Sequence, residues 1–185
     1  MARDFKKPGG RLSLASNGRK MPQVGFSKLG IMQFDDIVSQ TALATGLAVN
    51  GKKALFQKLG EMAAAVYGLD AGQVTDALME RERLGSTGFG GGVAIPHAKL
   101  PDLDRMRGLV VQLEPPIDFE AVDEAPVDIV FALLSPVDSG ADHLKTLARV
   151  SRFLRNEDQV ARLRGAHSDG ALHALLSGGE ARDAA

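Results

Sequence analysis

The sequence predicts an α/β protein, a three-layer α/β/α domain, because apolar residues recur at helical spacing on both flanks of the chain while short β-like runs punctuated by glycine and proline occupy its middle. Its size agrees: 185 residues with 44 % hydrophobic content can bury one substantial core but not two large ones. Residues 1–30 mix Pro8, Gly9, Gly10, Asn17, Gly18, Pro22 and Gly25 with charges and show no sustained period, so they read as a flexible basic extension. The domain is expected over 31–177, with a frayed tail at 178–185.

Each element has its own signal. A short helix is expected over 33–40. A stronger one spans 52–67, where Leu55, Leu59, Met62, Ala63 and Val66 fall on one face and Gly68 ends it. The next runs over 71–84, burying Val74, Leu78 and Met79, with Arg81 and Arg83 in its last turn and Gly85 behind it. The segment 85–92 (GSTGFGGG) is too rich in glycine for helix or strand. Val93, Ala94 and Ile95 form a short strand stopped by Pro96, and because a residue before proline is held extended, His97 is presented at the strand's end. Two further strands are expected at 109–113 (LVVQL) and 127–134 (VDIVFALL), bounded by Glu114-Pro115-Pro116 and Ser135-Pro136. Beyond them Leu144, Leu147, Ser151 and Leu154 mark a helical face, followed by shorter helices at 157–164 and 169–176.

Charge and composition exclude several functions. With no cysteine the chain has no disulfide, thiolate or cysteine-based zinc chemistry. No run of 18 apolar residues and no apolar leader segment is present, so neither membrane insertion nor secretion is expected, and the predicted location is cytoplasmic. Residues 1–30 carry a net charge of +6, which leaves −7 on the remainder. A folded part that is acidic overall lacks the basic face that nucleic-acid binding requires.

The informative stretch is 85–100 (GSTGFGGGVAIPHAKL). Its glycines permit a concave array of backbone N–H groups, and Ser86 and Thr87 add hydroxyl donors. Gly85 and Gly90 have the spacing of a P-loop, but Gly91 and Gly92 stand where Lys and Ser/Thr belong, so ATP binding is not expected. A histidine of ordinary pKa (~6.5) is mostly neutral at pH 7, and neutral imidazole is a competent nucleophile toward phosphorus. Such a site must supply position and positive partial charge for an added charge of roughly −2. Arg81, Ser86, Thr87 and His143 are the candidate suppliers. His143 opens a helix, where the positive end of the dipole favours neutral imidazole; neighbouring Asp142 caps that helix or fixes the tautomer. The same Pro-His pairing also makes an ordinary turn, and Arg81 also complements a helix C-terminus. Asp102 and Asp104 read as loop residues, His167 and His173 receive no role, and no ligand spacing calls for a metal.

Glu82, then Phe89, Gly90, Val93, Ala94, Ile95, Pro96, His97 and Ala98 resemble, position for position, the active-site pattern of the mannitol/fructose-type enzyme IIA family of the phosphoenolpyruvate-dependent phosphotransferase system. RERLGSTG (81–88), AIPHAKL (94–100), VQLEPPIDFEAVDEAPVDIVFALL (111–134) and HLKTLARV (143–150) are similar to its nitrogen-related branch. The resemblance covers about 31–177. It implies a small mixed sheet sandwiched by helices, phosphorylation of a ring nitrogen of His97, and active-site roles for Arg81 and His143. It also implies an HPr-like carrier as donor, no cofactor, and regulatory targets such as potassium transporters or sensor kinases. Two alternatives share the fold: a sugar-specific IIA subunit that passes phosphate to a separate IIB, and an interaction module indifferent to phosphorylation. An open depression rimmed by Phe89, Val93 and Leu100 is expected around His97.

Overall fold

The computed structural model describes residues 33–183; the basic extension read at 1–30 and the last two residues of the tail lie outside them. The described chain runs α1 (Phe34–Ile37), β1 (Val38–Leu47), α2 (Lys52–Tyr67), α3 (Ala71–Arg83), β2 (Gly88–Gly90), β3 (Val93–Ala94), β4 (His97–Leu100), β5 (Arg107–Ile117), β6 (Val127–Pro136), α4 (Gly140–Leu154), α5 (Glu157–Arg164) and α6 (Asp169–Asp183).

The sheet is organised by β6, whose nearly unbroken apolar sequence suits a strand buried on both faces. One edge of β6 pairs antiparallel with β5, which in turn pairs parallel with β1. Its other edge receives β3 and β4, both parallel, and β2 closes that side antiparallel to β3. The order is β1-β5-β6-β3-β2, a mixed sheet as expected. β3 and β4 are two halves of one line along β6, since Ala94 faces Val130 and His97 faces Leu133. Pro96 interrupts them because it has no N–H to give, although its carbonyl still accepts the Leu133 amide at 2.9 Å. His97 therefore does not finish a strand; it starts one, at a break that proline enforces.

Helices form two groups against this sheet, α2 with α3 and α1 with α4, α5 and α6, which completes the three layers. Phe34 is wedged between Phe131 and Phe153, with ring centroids 5.6 and 5.0 Å away. In the other group Phe56 meets Phe119 edge-on at 6.0 Å. All four of these core rings other than Phe153 are at most 2 % exposed, and burial of one such ring contributes about 1.5–3 kcal/mol. α2 ends where Gly68 enters the left-handed region at φ 70°, and Asp70 caps α3 by accepting the Gln73 amide at 2.7 Å.

Three local expectations need correction. Residues 33–40 are helical only over α1, and the chain then becomes β1, an edge strand whose register shifts break the alternation that marks strands in sequence. Tyr67 fastens it: the phenol donates to the Gly108 carbonyl at 2.7 Å and accepts the Ser39 amide at 3.3 Å. The glycine segment is not wholly irregular, because Gly88–Gly90 forms β2, where close approach to Ala121 leaves no room for a Cβ on Gly88. The last helix continues past 176, through Asp183.

α3 carries Arg81 toward β4, and its seating on α2 depends on Gly60. A Cβ built there would lie 2.4 Å from both the Ala71 carbonyl oxygen and the Thr75 hydroxyl. Gly60→Ala is therefore expected to lower the unfolding free energy by about 1–3 kcal/mol, the usual range for overpacking, as measured by urea denaturation.

Candidate active site around His97

His97 is half-buried at the first position of β4, and both ring nitrogens are engaged. Nδ1 lies 2.9 Å from the carbonyl oxygen of Ile95. A carbonyl only accepts, so Nδ1 carries the proton and Nε2 holds a bare lone pair. Arg81 agrees with this assignment, since its Nε–H donates to Nε2 at 2.9 Å while a terminal nitrogen donates to the Gly85 carbonyl at 3.0 Å. Burial holds the pKa of His97 below its ordinary 6.5; the Ile95 bond raises it, the Arg81 charge lowers it further, and Glu82 raises it without reversing the result. The ring is neutral at pH 7.

His143 lies in the first turn of α4, only 7 % exposed, with its ring centroid 5.7 Å from that of His97. Its Nδ1 is 2.8 Å from the hydroxyl of fully buried Ser135, which leaves Nε2 for the depression that both histidines line. Burial, and secondarily the neighbouring His97 and Lys99, lower its pKa from 6.5. Asp142 does not set its tautomer: that carboxylate pairs with Lys145 at 3.3 Å, and Ser139 occupies the helix N-cap.

Arg81, His97 and His143 thus converge on one open depression of about 360 Å³, bordered by Leu84, Glu80 and Lys99. Ser86 and Thr87 do not line it. The Ser86 hydroxyl donates to the Phe119 carbonyl at 2.9 Å, and that of Thr87 donates to Glu82 at 2.6 Å. The expected rim also differs. Val93 and Leu100 are each 1 % exposed in the core, and Phe89 lies beneath the Arg155 guanidinium at 5.2 Å. The apolar residues that line it are instead Leu84, 83 % exposed, Ala77 and Ala98.

Sequence reading missed Ser135, Lys52 and the Ile95 carbonyl. A serine closing an otherwise apolar strand was a usable signal for the first. Lys52 looks like an ordinary first residue of α2, yet its ammonium lies 2.9 Å from Glu82 and 2.7 Å from Glu120. Nothing local marks it.

Comparison with known proteins places this chain in a family. Residues 37–178 match the family model for the phosphoenolpyruvate-dependent sugar phosphotransferase system, EIIA 2, and the chain belongs to that family. Within it, the chain resembles proteins named for nitrogen regulation. It is 45 % identical over 146 residues to the nitrogen regulatory protein of Bradyrhizobium diazoefficiens, covering 79 % of this chain and 95 % of that one. The nitrogen regulatory protein of Escherichia coli K12 is 39 % identical over 147 residues, covering 79 % and 90 %. The crystal structure of nitrogen regulatory protein IIA-Ntr from Neisseria meningitidis superposes with a TM-score of 0.73 at 29 % identity, covering 77 % of this chain and 98 % of that one. IIA mannitol from Escherichia coli shares the fold, with a TM-score of 0.64 at 18 % identity over 75 % of this chain and 97 % of that one. These relatives make the chain a regulatory component of the phosphotransferase-system family. Among the described residues no helix is long and apolar enough to cross a membrane.

The two depressed histidine pKa values fix a pH dependence. Between the folded values and 6.5 the unfolded chain binds more protons than the folded one, so stability falls as pH drops through 6.5 and levels off below the folded values. Urea titrations from pH 7.5 to 5.5 are expected to show this loss, and the double variant His97→Gln, His143→Gln is expected to lose less.

Proposed function

We propose that this protein is a regulatory phosphocarrier, which takes a phosphoryl group from an HPr-like carrier onto Nε2 of His97 and controls partner proteins through that state. The observation that carries the reading is the paired hydrogen bonding of the imidazole. With Nδ1–H held by Ile95 and Nε2 facing Arg81, the lone pair that attacks phosphorus is already assigned to one atom.

Nε2 donates its lone pair to phosphorus as the donor's P–N bond breaks, and the departing imidazole nitrogen takes back that bonding pair. His97 keeps its Nδ1 proton and gains positive charge, which the Ile95 carbonyl dipole stabilises. Arg81 must leave Nε2 for the reaction to begin, and its guanidinium then meets the phosphoryl oxygens. His143, held by Ser135, is placed to offer a second donor. A donor already in position, as His143 is in this proposal, acts in the transition state without reorganising, whereas Arg81 first has to exchange Nε2 for the phosphoryl oxygens. In the same proposal Ser86 and Thr87 support the loop rather than the phosphate, since both hydroxyls are spent within the protein. Onward transfer is the reverse: the Nε2–P bond breaks and its pair returns to the ring.

An open depression supports the carrier reading, because a phosphohistidine that serves two proteins in succession must be reachable by both. The work is assigned to residues 31–177, in the cytoplasm, with no cofactor. Regulatory targets such as potassium transporters or sensor kinases fit the nitrogen-regulatory relatives. A sugar-specific role draws on a more partial likeness, 36 % identity to the fructose-specific EIIA component of Haloferax volcanii over 59 % of this chain.

Incubation with phosphoenolpyruvate, enzyme I and the nitrogen-branch carrier is expected to add one phosphoryl group, detected by intact-protein mass. His97→Ala is expected to take none. Loss of one donor, in Arg81→Ala or His143→Ala, is expected to slow the gain by about 100-fold. Equal labelling of wild type and His97→Ala would remove the proposal, and rapid onward transfer to a fructose- or mannitol-type IIB would turn it toward sugar uptake.

A further inference from the structure

We propose that Glu82 and Lys52 are positioning residues for His97: a carboxylate clamped by an ammonium holds the Thr87–Ile95 pairing whose free carbonyl fixes the imidazole tautomer. The consequence for rate rests on the phosphoryl-transfer reading above. The consequence for the tautomer does not.

Glu82 sits where a carboxylate is not expected. It occupies the last turn of α3, beside carbonyls whose partial negative charge opposes it, and its side chain is only 8 % exposed. A buried carboxylate persists when a cation and hydrogen-bond donors replace the lost water. Glu82 has both. The Thr87 amide donates to Oε2 at 3.0 Å, the Thr87 hydroxyl donates to the same oxygen at 2.6 Å, and the Lys52 ammonium lies 2.9 Å from Oε1.

From there the contacts run without a gap to the imidazole. Thr87, gripped at its amide and hydroxyl, uses its carbonyl to accept the Ile95 amide at 3.0 Å. Ile95, gripped at its amide, uses its carbonyl to accept Nδ1–H of His97 at 2.9 Å. Release of Glu82 would free Thr87 first, then the Ile95 peptide, and then the ring proton. The same side chain follows Arg81 directly in sequence, so its anchoring also fixes the backbone from which Arg81 reaches Nε2.

Lys52 is more than a counter-ion. Its ammonium bridges Glu82 to Glu120, at 2.9 and 2.7 Å, and stands 4.7 Å from the centre of the Phe119 ring. Phe119 in turn accepts the Ser86 hydroxyl through its carbonyl. One cation thus joins the start of α2, the end of α3 and the segment between β5 and β6, and both ends of the Ser86-Thr87 step are held. Burial works against the charge of Lys52, but the bonds to Glu120 and Glu82 outweigh it and raise its pKa, so the ammonium persists at pH 7.

The test reads ring nitrogens directly. Long-range proton–nitrogen NMR of His97 at pH 7.5 is expected to show one tautomer in the wild type, with protonated Nδ1 and bare Nε2. Glu82→Ala and Lys52→Met are expected to show exchange between both tautomers, together with phosphoryl acceptance slowed about tenfold or more, the scale on which small misplacements of a reacting group act. Glu82→Gln, which keeps an acceptor for Thr87, is expected to recover much of the loss. If Glu82→Ala does not fold, Lys52→Met and Glu82→Gln decide. A single Nδ1–H tautomer unchanged in every folded variant overturns the proposal, whatever the rates. A wild type that takes no phosphoryl group would remove the functional reading alone, since the tautomer comparison still stands.

Discussion

Everything at this site depends on the hydrogen bond from Nδ1–H of His97 to the carbonyl of Ile95. Free imidazole divides its proton between two nitrogens, and about 1.4 kcal/mol is enough to bias that division tenfold. A net hydrogen bond contributes about 0.5–1.5 kcal/mol, and one to a charged donor such as Arg81 about 1.5–3 kcal/mol. The two contacts act on opposite nitrogens in the same sense, so together they settle the tautomer. The fold supplies both from different elements: the carbonyl from the proline break between β3 and β4, the guanidinium from the last turn of α3.

A second constraint balances reach against protonation. An imidazole fully in water is open to partners but still partly protonated near neutral pH, whereas a deeply buried one is neutral and unreachable. His97 is half-buried, which lowers its pKa while Nε2 stays on an open depression. His143 is more enclosed and is held from behind by Ser135. Exposed Leu84 borders this polar centre and gives the depression an apolar edge.

Much of this was legible in the chain, for identifiable reasons. α2 and α5 have the bounds expected from their apolar period and stop signals, and β6 reads directly as a core strand. Pro96 announced the end of β3 and an imidazole beside it, but not that the chain resumes as β4 along the same edge of β6. β1 escaped because it is an edge strand with register shifts, rich in Ala and Thr, whose partner lies some 70 residues onward. Hydroxyls beside glycines point to Ser86 and Thr87 as phosphate donors, but local acceptors take both. Lys52 and Ser135 act through contacts made only on folding; Lys52 and Glu120 are 68 residues apart. Membership of the EIIA 2 family is carried by residues 37–178, a span that contains Arg81, His97 and His143.

The central proposal is that His97, protonated at Nδ1, takes phosphorus on Nε2. The most direct measurement is nitrogen–phosphorus coupling in uniformly nitrogen-15-labelled protein after incubation with phosphoenolpyruvate, enzyme I and the proposed carrier. The account predicts coupling of phosphorus to Nε2 of His97, with Nδ1 still bearing its proton. Coupling to Nδ1, or phosphorus on any other residue, would contradict it.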